Sequence, residues 1–327
     1  VAIGRSALSA QNFTSTTSSY NVAVGYEAGG AVTTGANNTL IGGLAGDAVT
    51  TGAYNTAVGT NALGANTTAS YNTAVGGLAL TANTTGAENV AVGMNTLDSN
   101  TTGANNTGLG TGALTANTTA SNNTGLGHNA LFANTTGTRN TAVGMSAGVA
   151  ITTGSYNVLM GAYTGDAITT GEQNVAVGDA ALSANITGTD NVSIGDQSLK
   201  VNTASNNTAV GSSALVANTT GTQNVAVGSL AGDAMTTASY NTAVGYSALS
   251  SDTLGARNTA IGQEALASQN FTSATDSYNT AVGMNAGRLV TTGTHNTFIG
   301  GLSGDATTTG YYNVAVGASA LSANTTA

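Results

Sequence analysis

The chain has no cysteine, no proline and no tryptophan among its 327 residues, and only 6% of its residues are charged. Without cysteine there is no disulfide, no thiolate nucleophile and no cysteine-based metal site. Its five Lys and Arg residues are too few for a nucleic-acid groove, because such a groove needs clustered cations to displace the counterions of the phosphates. The sequence therefore predicts no nucleic-acid partner.

Other signals of chemistry are also missing. The two histidines, His128 and His295, lie far apart in sequence, so we expect neither a histidine metal centre nor a cofactor site. No apolar run approaches the ~18 residues of a membrane-spanning helix. The sequence opens at Val1 without a Met or a charged n-region, so no secretion signal is visible in it. No paired carboxylates with a nearby base emerge, so we expect no catalytic residues and no enzyme.

What the chain does contain is a repeat whose consensus is N-T-A-V-G-x-x-A-L-x-A-N-T-T-G-x-Y. We number the positions of each unit from 1, the Asn, to 17. The usual step is 17 residues, but the step into Asn207 is 16 and the step into Asn279 is 21. The eighteen repeat asparagines are Asn21, Asn38, Asn55, Asn72, Asn89, Asn106, Asn123, Asn140, Asn157, Asn174, Asn191, Asn207, Asn224, Asn241, Asn258, Asn279, Asn296 and Asn313.

Glycine marks the corners of each unit. Position 5 is Gly in every copy, so we expect a positive φ there or a place too tight for a Cβ atom. The runs between the glycines are rich in Thr and Val, which favour pleated structure. Examples of the position-5 corner are Gly25, Gly42, Gly59 and Gly76, and examples of a second corner at position 15 are Gly35, Gly52, Gly86 and Gly137.

These features predict an all-β fold, a parallel β-solenoid or β-roll with one coil per unit. It covers residues 1–327 as a single repetitive domain of eighteen full or near-full units after a partial first unit. Stacked at ~4.8 Å, such coils would form a rod about 90 Å long. The Asn of position 1 predicts a ladder of stacked amides, which includes Asn21, Asn38, Asn55, Asn72, Asn89 and Asn106.

Positions 9 and 12 exchange side-chain volume. Leu at position 9 usually accompanies Asn at position 12, as in Leu63 with Asn66, whereas Gly at position 9 accompanies an apolar residue, as in Gly46 with Val49. Gly304 with Thr307 is the weakest example. Because close packing demands such compensation, we expect the two positions to share one space, in a second strand with two inward registers.

Whole blocks are duplicated as well. Residues 21–68 match 279–326, and the Gln-Asn-Phe-Thr segment at 11–14 recurs at 269–272, an offset of 258 residues. Both blocks follow a lengthened unit. We expect irregular lengths to be absorbed at corners, because a one-residue slip inside a strand would turn every side chain over. Asn207 and Asn279 should therefore remain in the Asn column.

The motif N-T-A-V-G-x-x-A-L resembles the S-V-A-I-G-x-x-A-x-A head repeat of trimeric autotransporter adhesins, and it is similar to the repeat tracts of bacterial and phage tail-fibre-type proteins. The resemblance implies a left-handed roll of three chains, with positions 2 and 4 facing the core, as at Val22 and Val24. Small residues at positions 3, 8 and 11, such as Ala23, Ala28 and Ala31, are expected where chains approach each other. The predicted buried column comprises Val24, Val58, Val75, Val143, Val177 and Val210.

Several polar and aromatic residues recur at fixed positions. Asp at position 10 is predicted to cap a corner or to be solvated, with weak cation binding as the alternative, because Ca²⁺ needs six or more oxygens. Tyr at position 17 is predicted to cover a corner or a seam between chains, with sugar stacking as the alternative. These residues are Asp47, Asp166, Asp233 and Asp305, and Tyr54, Tyr71, Tyr156, Tyr240, Tyr278 and Tyr312.

Asn-x-Thr sequons are abundant. They are candidate glycosylation sites if the chain passes through a glycosylating pathway, and otherwise their Asn and Thr residues simply form ladders. The candidates are Asn66, Asn83, Asn117, Asn134 and Asn218.

Growth by duplication favours a structural role. We expect the shaft of an extracellular fibre or filament, either a surface filament, an adhesin or a viral tail fibre, at the cell surface or on a virion. The expected partners are copies of the chain, as a homotrimer or filament, and a host surface or glycans. The alternative is a ligand- or ice-binding solenoid surface that uses Thr and Asn ladders at ~4.8 Å spacing. Against that alternative, adjacent Thr67 and Thr68 would face opposite sides of a strand. A polysaccharide lyase, the third hypothesis, would need a cluster of charges that the sequence does not show.

Overall fold

A computed structural model describes residues 1–13 and 18–326. Thr14, part of the duplicated segment, and Ala327 lie outside the described residues. Over the described ranges the chain is an all-β parallel β-solenoid, which confirms the predicted fold class, and it contains no helix. Accordingly, no helix in this part of the chain could cross a membrane. The fold divides into two compact units, residues 1–162 and 163–327.

Each coil places a short strand at positions 2 to 4, where Thr and Val favour pleated structure. The first unit contains β1 (Ala2–Ile3), β2 (Val22–Val24), β3 (Thr39–Ile41), β4 (Thr56–Val58), β5 (Thr73–Val75), β6 (Val90–Val92), β7 (Thr107–Leu109), β8 (Thr124–Leu126), β9 (Thr141–Val143) and β10 (Val158–Met160). The second unit contains β11 (Val175–Val177), β12 (Val192–Ile194), β13 (Thr208–Val210), β14 (Val225–Val227), β15 (Thr242–Val244), β16 (Gly255–Ala256), β17 (Thr259–Ile261), β18 (Thr275–Asp276), β19 (Thr280–Val282), β20 (Thr297–Ile299) and β21 (Val314–Val316).

Within each unit, the strands of successive coils pair in parallel and in register. Ala57 of β4 pairs with Ala74 of β5, for example. The register continues across the 16-residue coil, from β12 to β13, and across the 21-residue coil, from β17 to β19. The four extra residues of the 21-residue coil lie beyond position 12. There β18 pairs with β16, apart from the strands of positions 2 to 4. Irregular lengths are therefore absorbed outside the position 2 to 4 strands, as predicted.

The strand faces are the reverse of those that the resemblance implies. Position 3 is buried in every full unit, whereas positions 2 and 4 on either side of it, such as Val22 and Val24, point outward and keep partial exposure. Ala23 and Ala28, which were expected between chains, are instead core residues, and Ala31 is half-buried. The predicted buried column was therefore wrong at all six positions, namely Val24, Val58, Val75, Val143, Val177 and Val210.

The reason lies in the interior of the coil, which positions 3, 9 and 12 share. A Cβ atom at Gly46 would lie 2.7 Å from Cδ2 of Leu40 and 3.4 Å from Cγ2 of Val49. The predicted sharing of space by positions 9 and 12 is thus confirmed, and position 3 belongs to the same space. Leu63 at position 9 and Asn66 at position 12 of one coil are both completely buried. Both positions therefore face inward in the same coil, whereas two alternative inward registers of the second strand were expected.

Position 3 also explains the pair of Gly304 and Thr307, which is the weakest example of the exchange between positions 9 and 12. A Cβ atom at Gly304 would lie 2.4 Å from the ring of Phe298, which stands at position 3 of the same coil. Phe298 is completely buried and fills the volume that Gly304 leaves. A larger side chain than Thr307 at position 12 is therefore unnecessary.

The Gly of position 5 is required on two grounds. Gly76 has a φ of +132°, and a Cβ atom there would lie 2.4 Å from the carbonyl oxygen of Gly93 in the next coil. Gly25, Gly42 and Gly59 have the same conformation and the same contact. The coils can stack this closely because the position-5 residue has no Cβ atom to meet the carbonyl group of the next coil.

Adjacent glycines provide a test of this corner. We expect Gly76→Ala to destabilise the fold by about 3 kcal/mol or more, because it combines a strained φ with a backbone clash. Gly77→Ala, whose Cβ atom would meet no atom within 4 Å, should change stability by about 1 kcal/mol or less. Urea denaturation followed by circular dichroism measures both. Equal effects of the two substitutions would contradict the stacking explanation.

Candidate interaction surface

The Asn of position 1 joins each coil to its neighbours. The backbone N–H of Asn89 donates to Oδ1 of Asn72 at 3.0 Å, and its Nδ2 donates to the carbonyl of Gly103 in its own coil at 2.9 Å. Its Oδ1 accepts the N–H of Asn106 at 2.9 Å. This ladder contains all six residues named from the sequence, Asn21, Asn38, Asn55, Asn72, Asn89 and Asn106.

The ladder also passes through the irregular coils of the second unit. Asn207 donates to Asn191 at 3.0 Å, and Asn279 donates to Asn258 at 3.1 Å. The prediction that both residues stay in the column is confirmed. A buried amide thus connects coils of 16, 17 and 21 residues by the same bond.

A second amide ladder occupies position 12. Nδ2 of Asn83 donates to Oδ1 of Asn66 at 3.1 Å and to the carbonyl of Gly86 at 2.9 Å. The proposed glycosylation sites lie in this ladder column, and all are completely buried, so the folded coil has no room for a glycan on any of them. They are Asn66, Asn83, Asn117, Asn134 and Asn218.

The position-17 side chains stack along the outside of the coils. In the first unit the rings of Tyr54 and Tyr71 are nearly parallel, with centroids 5.1 Å apart. In the second unit the guanidinium of Arg257 lies 4.7 Å from the ring centroid of Tyr240, and His295 lies between Tyr278 and Tyr312 at 5.2 and 4.7 Å. Each contact covers one ring face, so that face is not open to a stacked sugar. His128 is exposed, as is His295.

The four Asp residues of position 10 are half-buried at a corner. Burial raises the pKa of the carboxyls of Asp47, Asp166 and Asp233. Among residues 1–13 and 18–326, no group of three acidic or histidine side chains is placed to hold a metal ion.

A buried carboxylate lies in the coil that precedes the 21-residue coil. Asp252 stands at position 12 of residues 241–257, where many other coils have Asn, and is completely buried. Gln269 donates to it at 2.6 Å, the N–H of Gly255 donates at 2.9 Å, and Gln269 in turn accepts from Asn279 at 2.8 Å. Burial nevertheless raises the pKa of the Asp252 carboxyl, because these bonds only partly replace its hydration.

A cleft of about 410 Å³ lies beside this coil. Arg257, Asp276 and Tyr240 line it, and Nε of Arg257 is 3.1 Å from the carboxylate of Asp276. Arg257 also stacks on Tyr240. The charged groups of the cleft are therefore engaged with each other and offer little to an ionic ligand.

A further distinctive surface is the outward face of the position 2 to 4 strands in each unit. We call the outward side chains of positions 2 and 4 the T/V face. They are Thr or Val at position 2 and Val, Ile, Leu or Met at position 4, with no charged residue in any coil. Ile41, Leu109 and Met160 of the first unit expose 38%, 43% and 44% of their surface, and Ile194 and Val227 of the second unit each expose 38%.

The sequence held one signal for this face. Leu40, Leu159 and Phe298, the large residues of position 3, all occur in coils with Gly at position 9. That exchange places position 3 inside, and strand alternation then places positions 2 and 4 outside.

The ladder predicts unequal effects at neighbouring asparagines. Asn106→Ala should destabilise the chain by about 2–3 kcal/mol, because it leaves the buried N–H of Asn123 without its acceptor. Asn105→Ala, at an exposed residue of left-handed conformation, should cost about 1 kcal/mol or less. Urea midpoints of the two variants provide the comparison, and a smaller effect at Asn106 would count against the ladder.

The buried carboxylate predicts a dependence on pH. Since the folded-state pKa of Asp252 is raised, its contribution to stability grows as the pH falls from about 7 towards the unfolded value of about 4. Asp252→Asn should raise the urea midpoint at neutral pH and narrow the difference between neutral and acidic pH. Asp190→Asn, at an exposed residue, is the control. A lower midpoint for Asp252→Asn at pH 7 would mean that the carboxylate stabilises the coil.

Comparison with known proteins identifies no family for this chain. No protein-family model matches it, and no curated protein matches it significantly.

Proposed function

We propose that this chain is the structural shaft of an extracellular fibre, that is, the repetitive part of a surface filament, an adhesin or a viral tail fibre. In this role it has no catalytic function, lies at a cell surface or on a virion, and associates with copies of itself as a trimer or filament. The single observation that carries the proposal is the equivalence of the coils. The same Asn hydrogen bond and the same Gly corner recur through coils of three different lengths.

Equivalent coils favour a shaft because stability in a solenoid is close to a sum over units and their neighbours. A coil added at any point brings its own hydrogen bonds and core, so length can increase without a new packing solution. The amides of positions 1 and 12 bond to neighbouring coils or to their own coil's backbone. Their chemistry is thereby used within the fold, which is what a structural element requires.

The Thr ladder of position 13 supports the same role over a ligand- or ice-binding surface. Oγ1 of Thr50 donates to the carbonyl of Thr67 at 3.0 Å, and Oγ1 of Thr84 donates to that of Thr101 at 2.9 Å. These hydroxyl protons are committed to the next coil. A surface built to order water would present them to solvent.

Deletion of one whole coil tests the proposal. Removal of residues 72–88 joins Tyr71 to Asn89 and brings together two coils of the Leu63–Asn66 type, so the chain should fold with a cooperative transition. Light scattering should give the same number of chains per particle as the full chain, more than one, and electron microscopy should show elongated particles. Deletion of residues 72–80, about half a coil, is the control and should destroy cooperative folding.

Two results would contradict this function. One is a full-length chain that is a compact monomer at micromolar concentration. The other is loss of folding on removal of 72–88, since coils that cannot be exchanged are not modular.

A further inference from the structure

We propose that a second copy of this chain docks on the T/V face, through the outward side chains of positions 2 and 4. The inference rests on the proposed function and deepens it, because it names the surface through which shafts associate. It follows from the chemistry, the area and the charge distribution of this face.

The chemistry of the T/V face suits a protein contact. Its apolar members are mainly Val and Ile, which are stiff at χ1 and therefore lose little rotamer freedom when a partner covers them. The Thr hydroxyls of position 2 both donate and accept hydrogen bonds. Hydroxyls from two copies can thus bond to each other, so that their burial leaves no group unsatisfied.

The area is sufficient for a stable contact. A three-residue strand is about 10 Å long and adjacent strands lie ~4.8 Å apart, so each coil presents roughly 50 Å². Nine such strands in each unit, β2–β10 in the first and β11–β15, β17 and β19–β21 in the second, present roughly 450 Å² per unit. A standard interface buries about 800 Å² per partner, an area that a chain reaches when each of its units packs on its counterpart in the second copy.

The distribution of charge favours this face over the others as the contact between two copies. The chain carries a net charge of −9, so two copies repel each other wherever carboxylates meet. Charged residues stand at the corners, as with Glu27 at position 7, Asp47 at position 10 and Glu88 at position 17. A contact through the corners would desolvate these charges, whereas a contact through the T/V face desolvates none.

The occupant is a copy of the same chain because the face is repetitive and self-similar. Two sheets pack face to face about 10 Å apart when their side chains interdigitate. Columns of branched side chains at a constant strand spacing meet this condition against columns of the same spacing. Each further coil then adds the same contact.

Matched lysine variants of the full chain test the inference. The face variant combines Val75→Lys, Val92→Lys and Leu109→Lys. The control carries the same three charges in the same coils at exposed position-14 residues, as Thr85→Lys, Thr102→Lys and Thr119→Lys. By light scattering, the face variant should fall to the mass of one chain while the control keeps the wild-type mass, and both should keep the wild-type circular dichroism spectrum.

A thiol measurement covers the case in which three lysines disturb folding. Because the chain has no cysteine, Val75→Cys and Thr85→Cys each introduce a single thiol. Maleimide should label Val75→Cys at least several-fold more slowly in the assembled state than after dilution to single chains. The labelling rate of Thr85→Cys should be the same in both states.

The outcomes separate the two proposals. If wild-type chains associate but the face variant keeps the wild-type mass, or Val75→Cys is labelled equally in both states, copies meet elsewhere and this inference is wrong while the shaft proposal stands. If the wild type is a compact monomer, both fail. A monomer that slows ice growth would assign the T/V face to ice instead.

Discussion

The hydrogen bond between consecutive position-1 asparagines is the interaction on which the solenoid depends. A coil corner exposes a backbone N–H that no β-ladder partner reaches, and burial without an acceptor would cost about 1–3 kcal/mol. The side-chain oxygen of the preceding Asn supplies the acceptor, and its amide nitrogen closes the coil at position 15. One residue type therefore holds both the coil and the stack, which explains its presence in every unit.

Stacking at this spacing imposes the second constraint, which is close approach of the backbones at the corners. Position 5 meets it with Gly, whose missing Cβ leaves room for the carbonyl of the next coil. Other corner residues adopt left-handed conformations although they carry side chains, such as Tyr54 with φ of +58° and Leu63 with φ of +57°. Such residues cost about 1–3 kcal/mol each and persist because packing from neighbouring coils over-determines them. The fold is thus cooperative between coils, and a shaft of many coils is its natural use.

The charged residues lie where they interfere least with the stacking of the coils. Most charged residues lie at corners, and the buried Asp252 lies beside the lengthened coil, where Gln269 of that coil and the backbone N–H of Gly255 donate hydrogen bonds to it. The T/V face carries no charged residue in any coil. A thin solenoid with a core of mainly small side chains gains from covering that face, which connects the assembly proposed here to the limited core of a single coil.

Periodicity, the solenoid fold, the Asn ladder and the position of the corners were determined by the sequence itself, because they depend on residues that recur whatever surrounds them. The exchange of side-chain volume between positions 9 and 12 was also predicted from the sequence, from residues such as Gly46 and Val49. The T-A-V motif alone did not give the direction of the strand, because it alternates in the same way whether Ala or Val faces inward. The large position-3 residues of three coils hinted at it, but the tertiary structure decided it. In a regular coil Leu63 at position 9 and Asn66 at position 12 already fill the interior, so only a small residue such as Ala57 fits at position 3 and the branched side chains face outward. The same cause buries the sequon asparagines, whose exposure no local pattern could reveal.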